Sequence, residues 1–586
     1  MILQALAEYY EALQRQGKAA APGWGPVKVS FALYLNGDGA LERAVSVQTQ
    51  QPRGKKTVIA PQIMLLPAPV KRTVGVAANF LCDNSGYILG ADDSGKPQRT
   101  AKCFQACKAL HEEVLAGVDT PAARAVLAFF RSWSPECAPE HPALAEHWEE
   151  IRSGANLVFR YDGGFVHDDP AVRRAWERYY SGAGDGGGPE MVCLVTGDKG
   201  PVENIHPAIK GVQGAQSSGA ALVSFNAPAF CSYGKEQNFN APTSRAAAFA
   251  YTTALNYLIS DREHVFRMGD ATVVCWARGG EDAYQSFFSA MLGGQATYSE
   301  ADLQRMTGEL CKGHEVLFDE TRLDPNMDFY VLGLSPNAAR LSVRFFLRNT
   351  FQGFLQNNED HRQRLRIARP AYEKFEVPSL KMLLDATVNQ NTRDKQASPQ
   401  LAGEMLRAVL TGAPYPATLL GGVTLRIRAE QKITWPRAAI LKAYFLKNYK
   451  NSDLYPILQE VARVDLNETC TYQPYVLGRL FAVMEKIQLA SADWSLNRTI
   501  KDSYFNSAAV TPKNIFARLF PLSGYHMKKL SRDKPGLART LGDEKRTLLL
   551  MLTQSIPARF TPEETNCFYI GYYHQNYQKK EEKQNA

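Results

Sequence analysis

The chain has 586 residues, 45% apolar, 10% aromatic and 22% charged, values of an ordinary globular protein long enough for about two to four domains. This composition excludes wholesale disorder and collagen-like or mucin-like chains, and no run of about 18 uncharged apolar residues offers a membrane span. The net charge is +8, from 67 basic and 59 acidic residues, so the excess is modest and its clustering carries the information.

Residues 2–16 predict a helix, with Leu3, Leu6, Tyr10 and Leu13 on one face and Gly17 as a stop. Val27, Val29, Phe31, Leu33 and Leu35 alternate as in a strand with one buried face. Asn36-Gly37-Asp38-Gly39 supplies turn residues, and Val45 and Val47 begin the return strand of a hairpin. Further strands are expected at 191–195, 221–225, 271–276, 329–334 and 341–347, with helices at 124–133 and 245–259 between them. Gly182–Pro189 (GAGDGGGP) predicts a flexible connection, about 181–189. It lacks the Lys-Ser/Thr of a phosphate-binding P-loop.

After about residue 360 the character changes. Helical spacing recurs at 379–388, 401–410, 437–449, 475–489, 512–520 and 538–553. Thr561-Pro562-Glu563-Glu564 is a capping box opening a last helix rich in Phe568, Tyr569, Tyr572, Tyr573 and Tyr577. The expected fold class is α+β: a mixed α/β region over 1–360, then an all-α helical bundle over 361–586.

Chemistry is sparse. His111-Glu112-Glu113 lacks the second histidine of a zincin helix, and Ser217-Ser218-Gly219 is not a nucleophile elbow. The ten cysteines are too few for a disulfide scaffold. Cys103 and Cys107 have no second pair at zinc spacing. Met1-Ile2-Leu3-Gln4 does not open an export signal, so free thiols in a reducing cytoplasm are expected. No metal and no cofactor is expected.

Charge is more telling. No Asp or Glu occurs between Arg43 and Cys82, a stretch that holds Lys71 and Arg72. Arg362, Arg364, Arg366 and Arg369 crowd 361–370, and Arg426, Arg428, Lys442 and Lys447 lie in a basic stretch over 401–450. Such local fields suit a polyanion, nucleic acid being the usual one.

Three polar, glycine-bearing segments sit inside apolar flanks. NFLCDNSGYILG (79–90) holds the turn chemistry Asp83-Asn84-Ser85-Gly86, which suits a surface turn or close approach to a groove or phosphate. GAQSSGAALVSFNAPAFCSYGKEQNFNAP (214–242), with AYTTALN (250–256), gathers Gln, Asn and Ser donors beside Tyr233 and Lys235, as base-edge and phosphate ligands or as an internal network pinning a loop. FYVLGLSPNAARLSVRFF (329–346) predicts a strand with Leu341, Val343, Phe345 and Leu347 toward a core. Ser342, Arg344 and Arg348 would then face outward, toward a polyanion or toward water.

At these segments the chain resembles the large subunit of the type I-C CRISPR Cascade, an RNA-guided DNA surveillance complex. The resemblance implies a non-catalytic subunit that recognises the protospacer-adjacent motif in double-stranded target DNA. It promotes unwinding and R-loop formation, holds the non-target strand and offers a docking platform to a recruited helicase–nuclease. Partners so implied are the guide RNA, the backbone subunits, the subunit at the guide 5′ end and small subunits, with no membrane. Asn84, Ser85 and Gly86, with Lys71 and Arg72 on nearby phosphates, are the expected motif contacts. Lys235, Gln237 and Asn238 form a second group. Arg344, Arg348, Arg362, Arg364, Arg366, Arg369, Arg426, Arg428, Lys442 and Lys447 are expected along a single-strand track. The resemblance also implies an internal translation start giving a separate C-terminal small subunit, at Met484 or at Val464 if its codon is GTG. The alternative is a nucleic-acid-processing enzyme, a nuclease, whose site does not show in the sequence.

Overall fold

The computed structural model describes residues 1–53, 56–70, 72, 75–182, 190–261, 265–292, 298–392 and 395–577. Lys71, most of the glycine-rich connection and the C-terminal tail lie outside the described residues. The fold is α+β: small sheets alternate with helices up to Thr350, and every described element beyond it is helical. No helix among the described residues is long and apolar enough to cross a membrane.

The opening helix is Ile2–Arg15, ending before Gly17, whose φ of +69° suits glycine. The alternating run 27–35 is not one strand. It breaks at Ser30 into Trp24–Val29, paired with Gln62–Pro67, and Phe31–Leu35, which joins a different sheet. Ser30 bonds outward at both backbone groups, its N–H to Asn156 (3.0 Å) and its carbonyl to the Val47 N–H (2.9 Å). Phe31, Ala32 and Leu33 are all buried, so past Ser30 the strand is covered on both faces. The hairpin forms as expected: Asn36 Oδ1 accepts the Asp38 and Ala40 N–H groups at 3.1 and 2.8 Å. In the resulting five-stranded sheet, Asn156–Tyr161 lies parallel to Phe31–Leu35 and antiparallel to Cys82–Asn84.

A second, four-stranded sheet runs Phe266–Met268, Ala271–Ala277, Asp328–Asn337, Arg340–Thr350, all antiparallel. It is covered on both faces. Val274, Trp276, Tyr330 and Leu332 pack against the helices Ile2–Arg15 and Arg245–Ser260. Val273, Cys275, Phe329 and Val331 pack against Asp282–Met291 and Phe351–Leu365, together with Leu406 and Leu410 from Pro399–Thr411. The last strand breaks its alternation: the register shifts opposite Gly333 and Leu334, so Val343 pairs with Leu334 while Phe345 pairs with Gly333. Arg344 is the extra residue of this bulge. Leu341 and Phe345 thereby reach opposite cores, and Val343, expected inside, is 42% exposed. The segment 221–225 is not a strand either. Only Ala221 bridges, through its N–H to the Ala339 carbonyl and its carbonyl to the Leu341 N–H.

In the helical part each run with helical spacing holds a helix: Pro512–Asp533 extends 512–520, Pro535–Leu550 starts before 538–553 and stops short of its end, and Leu380–Asp385 covers only part of 379–388. The Thr561 capping box closes as read, with the Thr561 N–H on Glu564 Oε2 and the Glu564 N–H on Thr561 Oγ1. It opens Pro562–Tyr577, the centre of the bundle, buried continuously from Thr565 to Gln575. That helix crosses Gln473–Ser491 at two glycines. A Cβ on Gly478 would lie 2.1 Å from the Phe568 carbonyl oxygen, and one on Gly571 2.2 Å from that of Tyr475. Met484 is buried inside Gln473–Ser491 while Val464 is exposed ahead of it, so only a start at Val464 leaves this helix whole.

Candidate nucleic-acid interface

The first segment is a turn held from within. Cys82–Asn84 ends the small strand and Ser85–Ile88 is a single helical turn. The Arg72 guanidinium pairs with both carboxylate oxygens of Asp83 and donates to the Ala77 carbonyl (2.7 Å). It also lies 3.9 Å from the Tyr87 ring centroid. Asp83 further accepts the N–H groups of Asn79 (2.9 Å) and Asn84 (2.8 Å). Leu81, at φ +59°, gives its N–H to His111 Nε2 at 2.9 Å, while His111 Nδ1 faces the Cys107 carbonyl at 2.7 Å. Burial lowers this histidine's pKa to about 4. The neutral ring thus donates at Nδ1 and accepts at Nε2.

This geometry corrects part of the expected contact set. Ser85 and Gly86 are buried, and a Cβ on Gly86 would lie 2.7 Å from Asp92 Oδ2. Both shape the turn from inside rather than face a ligand. Arg72 is engaged by Asp83. Asn84, half-buried at the head of the turn with no side-chain cap bond, is the member left near the surface.

The second segment forms an exposed loop over an irregular wall. Asn240 fixes the loop: its Oδ1 accepts the Ser232 N–H (2.8 Å), and its Nδ2 donates to the Lys235 and Gln237 carbonyls (2.9 Å each). Tyr233 at the tip is 99% exposed with φ +55°, and Gln237 has φ +46°. Lys235 and Gln237 face outward, whereas Asn238 points inward and is buried. Beneath lies a cleft of about 280 Å³, walled by Gln216, Ser218, Ser224, Asn226, Gln237 and Asn238 and closed at depth by His206. His206 and the Tyr251 hydroxyl meet at 2.6 Å, and burial drops the His206 pKa to about 4. Sequence reasoning missed His206: it precedes Pro207 in irregular chain, with no periodicity to mark it. It also missed Arg340, whose guanidinium carbon lies 4.3 Å from the ring centroid of the exposed Phe230.

The cations expected on one track are dispersed. Arg344 pairs with Asp270 (2.5 Å) and Arg348 with Asp328 (3.1 Å), both remaining more than half exposed. On Phe351–Leu365, Arg362 pairs with Glu300 (3.0 Å), and Arg364 bonds the Tyr415 hydroxyl (3.3 Å). Beyond the helix, Arg366 pairs with Glu376 (2.7 Å). Arg369 is exposed and donates to the Phe375 carbonyl (2.5 Å). Arg426 sits 3.7 Å from Glu430 and is largely covered, whereas Arg428 is exposed. Lys447 is half-buried. Lys442 departs furthest from expectation. It is 2% exposed, its ammonium donates to the Arg364 carbonyl (3.0 Å), and burial pushes its pKa down to about 8. It braces two helices and cannot line a surface track. Among the described residues no hydrogen bond or ion pair joins the Asn84 turn to the 232–240 loop, and no group of three His, Cys, Asp or Glu is placed to hold a metal.

Residues 6–579 match the model of the CRISPR-associated protein family Cas_Csd1, and the chain belongs to that family. It is a CRISPR-associated protein of the Cascade type. Comparison with individual curated proteins gives no match.

Proposed function

We propose that this protein is the large subunit of a type I-C Cascade. In this reading it recognises a short flanking motif in duplex DNA, starts strand separation there, holds the displaced strand and receives the helicase–nuclease, and it makes and breaks no covalent bond. The observation that carries the reading is the 232–240 loop. Asn240 fixes its backbone from inside, so Lys235 and Gln237 project from a loop that needs no backbone ordering on binding. An amide reads base edges and a lysine meets a phosphate. Asn84, positioned by Arg72, Asp83 and the buried Ser85–Gly86 pair, is the second contact. Arg344, Arg348, Arg369 and Arg428 remain as cations for the displaced strand.

The energetics suit a local reader. Guide pairing carries most of the sequence selection, and opening costs about 1.4 kcal/mol per base-pair step, offset by the RNA–DNA pairs that form. A few contacts then suffice to start the exchange. A more uniformly cationic surface would hold all DNA and slow the search.

The test is a complex assembled with Gln237→Ala or Asn84→Ala. Binding to motif-bearing duplex should weaken about tenfold, the lower part of the range for a base contact, while guide-dependent binding to single-stranded target stays unchanged. Equal loss on both substrates overturns the assignment.

A further inference from the structure

We propose that the cleft under the 232–240 loop is a pocket for one unpaired nucleobase, with that nucleotide's phosphates on a cationic rim. The inference rests on the reading above that the chain handles opened nucleic acid, and names a site for one extruded nucleotide.

Four observations lead there. First, two residues of the pocket wall carry buried hydrogen-bonding atoms that the chain itself leaves without a bond. Asn238 Oδ1 and His206 Nε2, on side chains 3% exposed, have no hydrogen-bond partner among the described residues. An unpaired buried polar atom costs about 1–3 kcal/mol, so two in one cleft are better accounted for by a ligand than by the unbound fold. Second, the lining is uncharged: amide and hydroxyl groups are set among a larger apolar share that includes Ile205, Val223 and Phe225, there is no Lys, Arg, Asp or Glu, and burial keeps His206 neutral. Such walls suit neither a bare phosphate nor a metal ion. They suit a flat neutral group with several donors and acceptors on its edge, to which Asn and Gln amides are complementary. Third, the size fits. About 280 Å³ is the room of roughly nine liquid waters, more than the bonded ring atoms of one purine need, and Phe225 on the wall is an aromatic residue on which a base could stack.

Fourth, cations stand at the rim rather than inside. Lys210 is exposed beside Gly219, where its Cγ would lie 3.2 Å from an added Cβ. Arg340 follows the lining residue Ala339 and is held over Phe230. Lys235 lies on the loop whose Gln237 and Asn238 line the cleft. Neutral walls with a basic mouth match a base inserted edge-first while its backbone stays outside. Glycine at 219 keeps this wall close: φ is +96°, and a Cβ there would lie 2.8 Å from the Ile209 carbonyl oxygen.

The base could come from either DNA strand or from the guide, and the test separates these. Complexes are assembled with the full chain, and single abasic positions are walked along the non-target strand beside the motif, along the target strand and along the guide 5′ segment. With the unaltered chain, one position in one strand should weaken DNA binding, or for a guide position complex assembly, about tenfold. That strand identifies the source. In Asn238→Leu the intact substrate should bind about tenfold more weakly, and the abasic change should add nothing. Should Asn238→Leu fail to assemble, Ala339→Trp takes its place, blocking the mouth from an exposed position without removing a buried partner. No sensitive position in any strand, or an abasic effect as large in the variants as in the unaltered chain, overturns the pocket. A complex that shows no motif preference on intact DNA overturns the parent reading, a result distinct from both.

Discussion

The 232–240 loop and the helical bundle use the same residue types in opposite ways. In the loop, an asparagine ties down the backbone and leaves Lys235 and Gln237 in water. In the bundle, Lys442, Arg437 and Arg479 are 2–5% exposed and bond mainly to carbonyls, with Glu430 pairing Arg437. Desolvating a cation is costly, so each must keep a partner, and those partners bind helix to helix. A basic run in a sequence therefore becomes a nucleic-acid surface only where the fold leaves its members uncovered.

The strongest way to break this contrast is at the bundle's centre. Gly571→Val should cost more than about 3 kcal/mol, because two helix backbones meet where the side chain would go. Gly421→Ala, also within a bundle helix but with nothing within 4 Å of the added carbon, should stabilise by about 0.5–1 kcal/mol. Urea unfolding of the full chain measures both. Equal effects would mean that the Gly478–Gly571 crossing is not the bundle's tightest constraint.

Next in size is the Asn84 turn. Asp83→Ala should destabilise by about 3 kcal/mol, since it strands the guanidinium of Arg72 and two backbone N–H groups at a side chain only 2% exposed. Arg72→Lys should not preserve the turn, as an ammonium cannot span both carboxylate oxygens. Hydrogen exchange at the Asn79 and Asn84 amides reads the outcome. Protection retained in Asp83→Ala would refute the account.

Acid acts on both regions. His111 and His206 in the mixed region have pKa values lowered to about 4, and His361 and His574 in the helical part to about 3, all by burial. The unfolded chain takes up these protons near pH 6.5 and the folded chain only near 3–4. Stability is therefore intact above pH 6.5 and declines as pH falls through that window, by about 3 kcal/mol for His111 alone once pH nears 4. The urea midpoint followed from pH 7 to 4.5 should fall steadily, and His111→Gln should shallow the slope. A flat midpoint would show that these histidines charge in the fold.

Local codes were legible and tertiary ones were not. The Thr561 capping box, the Asn36 turn and the helical spacings announced their elements because each depends on residues within a few positions. The split at Ser30 and the bulge at Arg344 depend on what packs against both faces of a strand, which alternation cannot report. The pairing of Arg362 and Arg366 depends on Glu300 and Glu376, brought close only by the fold. The cleft was half visible. Gln237 and Asn238 stood out as polar residues in an apolar setting, but His206 and Ala339 reach the same cavity from distant irregular chain. Ser85 and Gly86, expected as contacts, lie buried in the short helical turn Ser85–Ile88. Their inward direction is set by Asp92 and the core behind them.

The smallest effect on stability is also the sharpest test of the contrast, because it separates charge in the sequence from charge at the surface. Lys235→Ala removes an exposed side chain and should change stability by less than about 0.5 kcal/mol. If Lys235 meets a phosphate, the slope of log affinity against log salt for the assembled complex should fall by about one. Lys442→Met, in contrast, removes a charge desolvated inside the bundle and should leave that slope untouched, its stability cost lessened because the buried ammonium goes with it. Both lysines count equally toward the net charge of +8. A salt slope moved by Lys442→Met and not by Lys235→Ala would put the nucleic acid on the bundle and reverse the comparison.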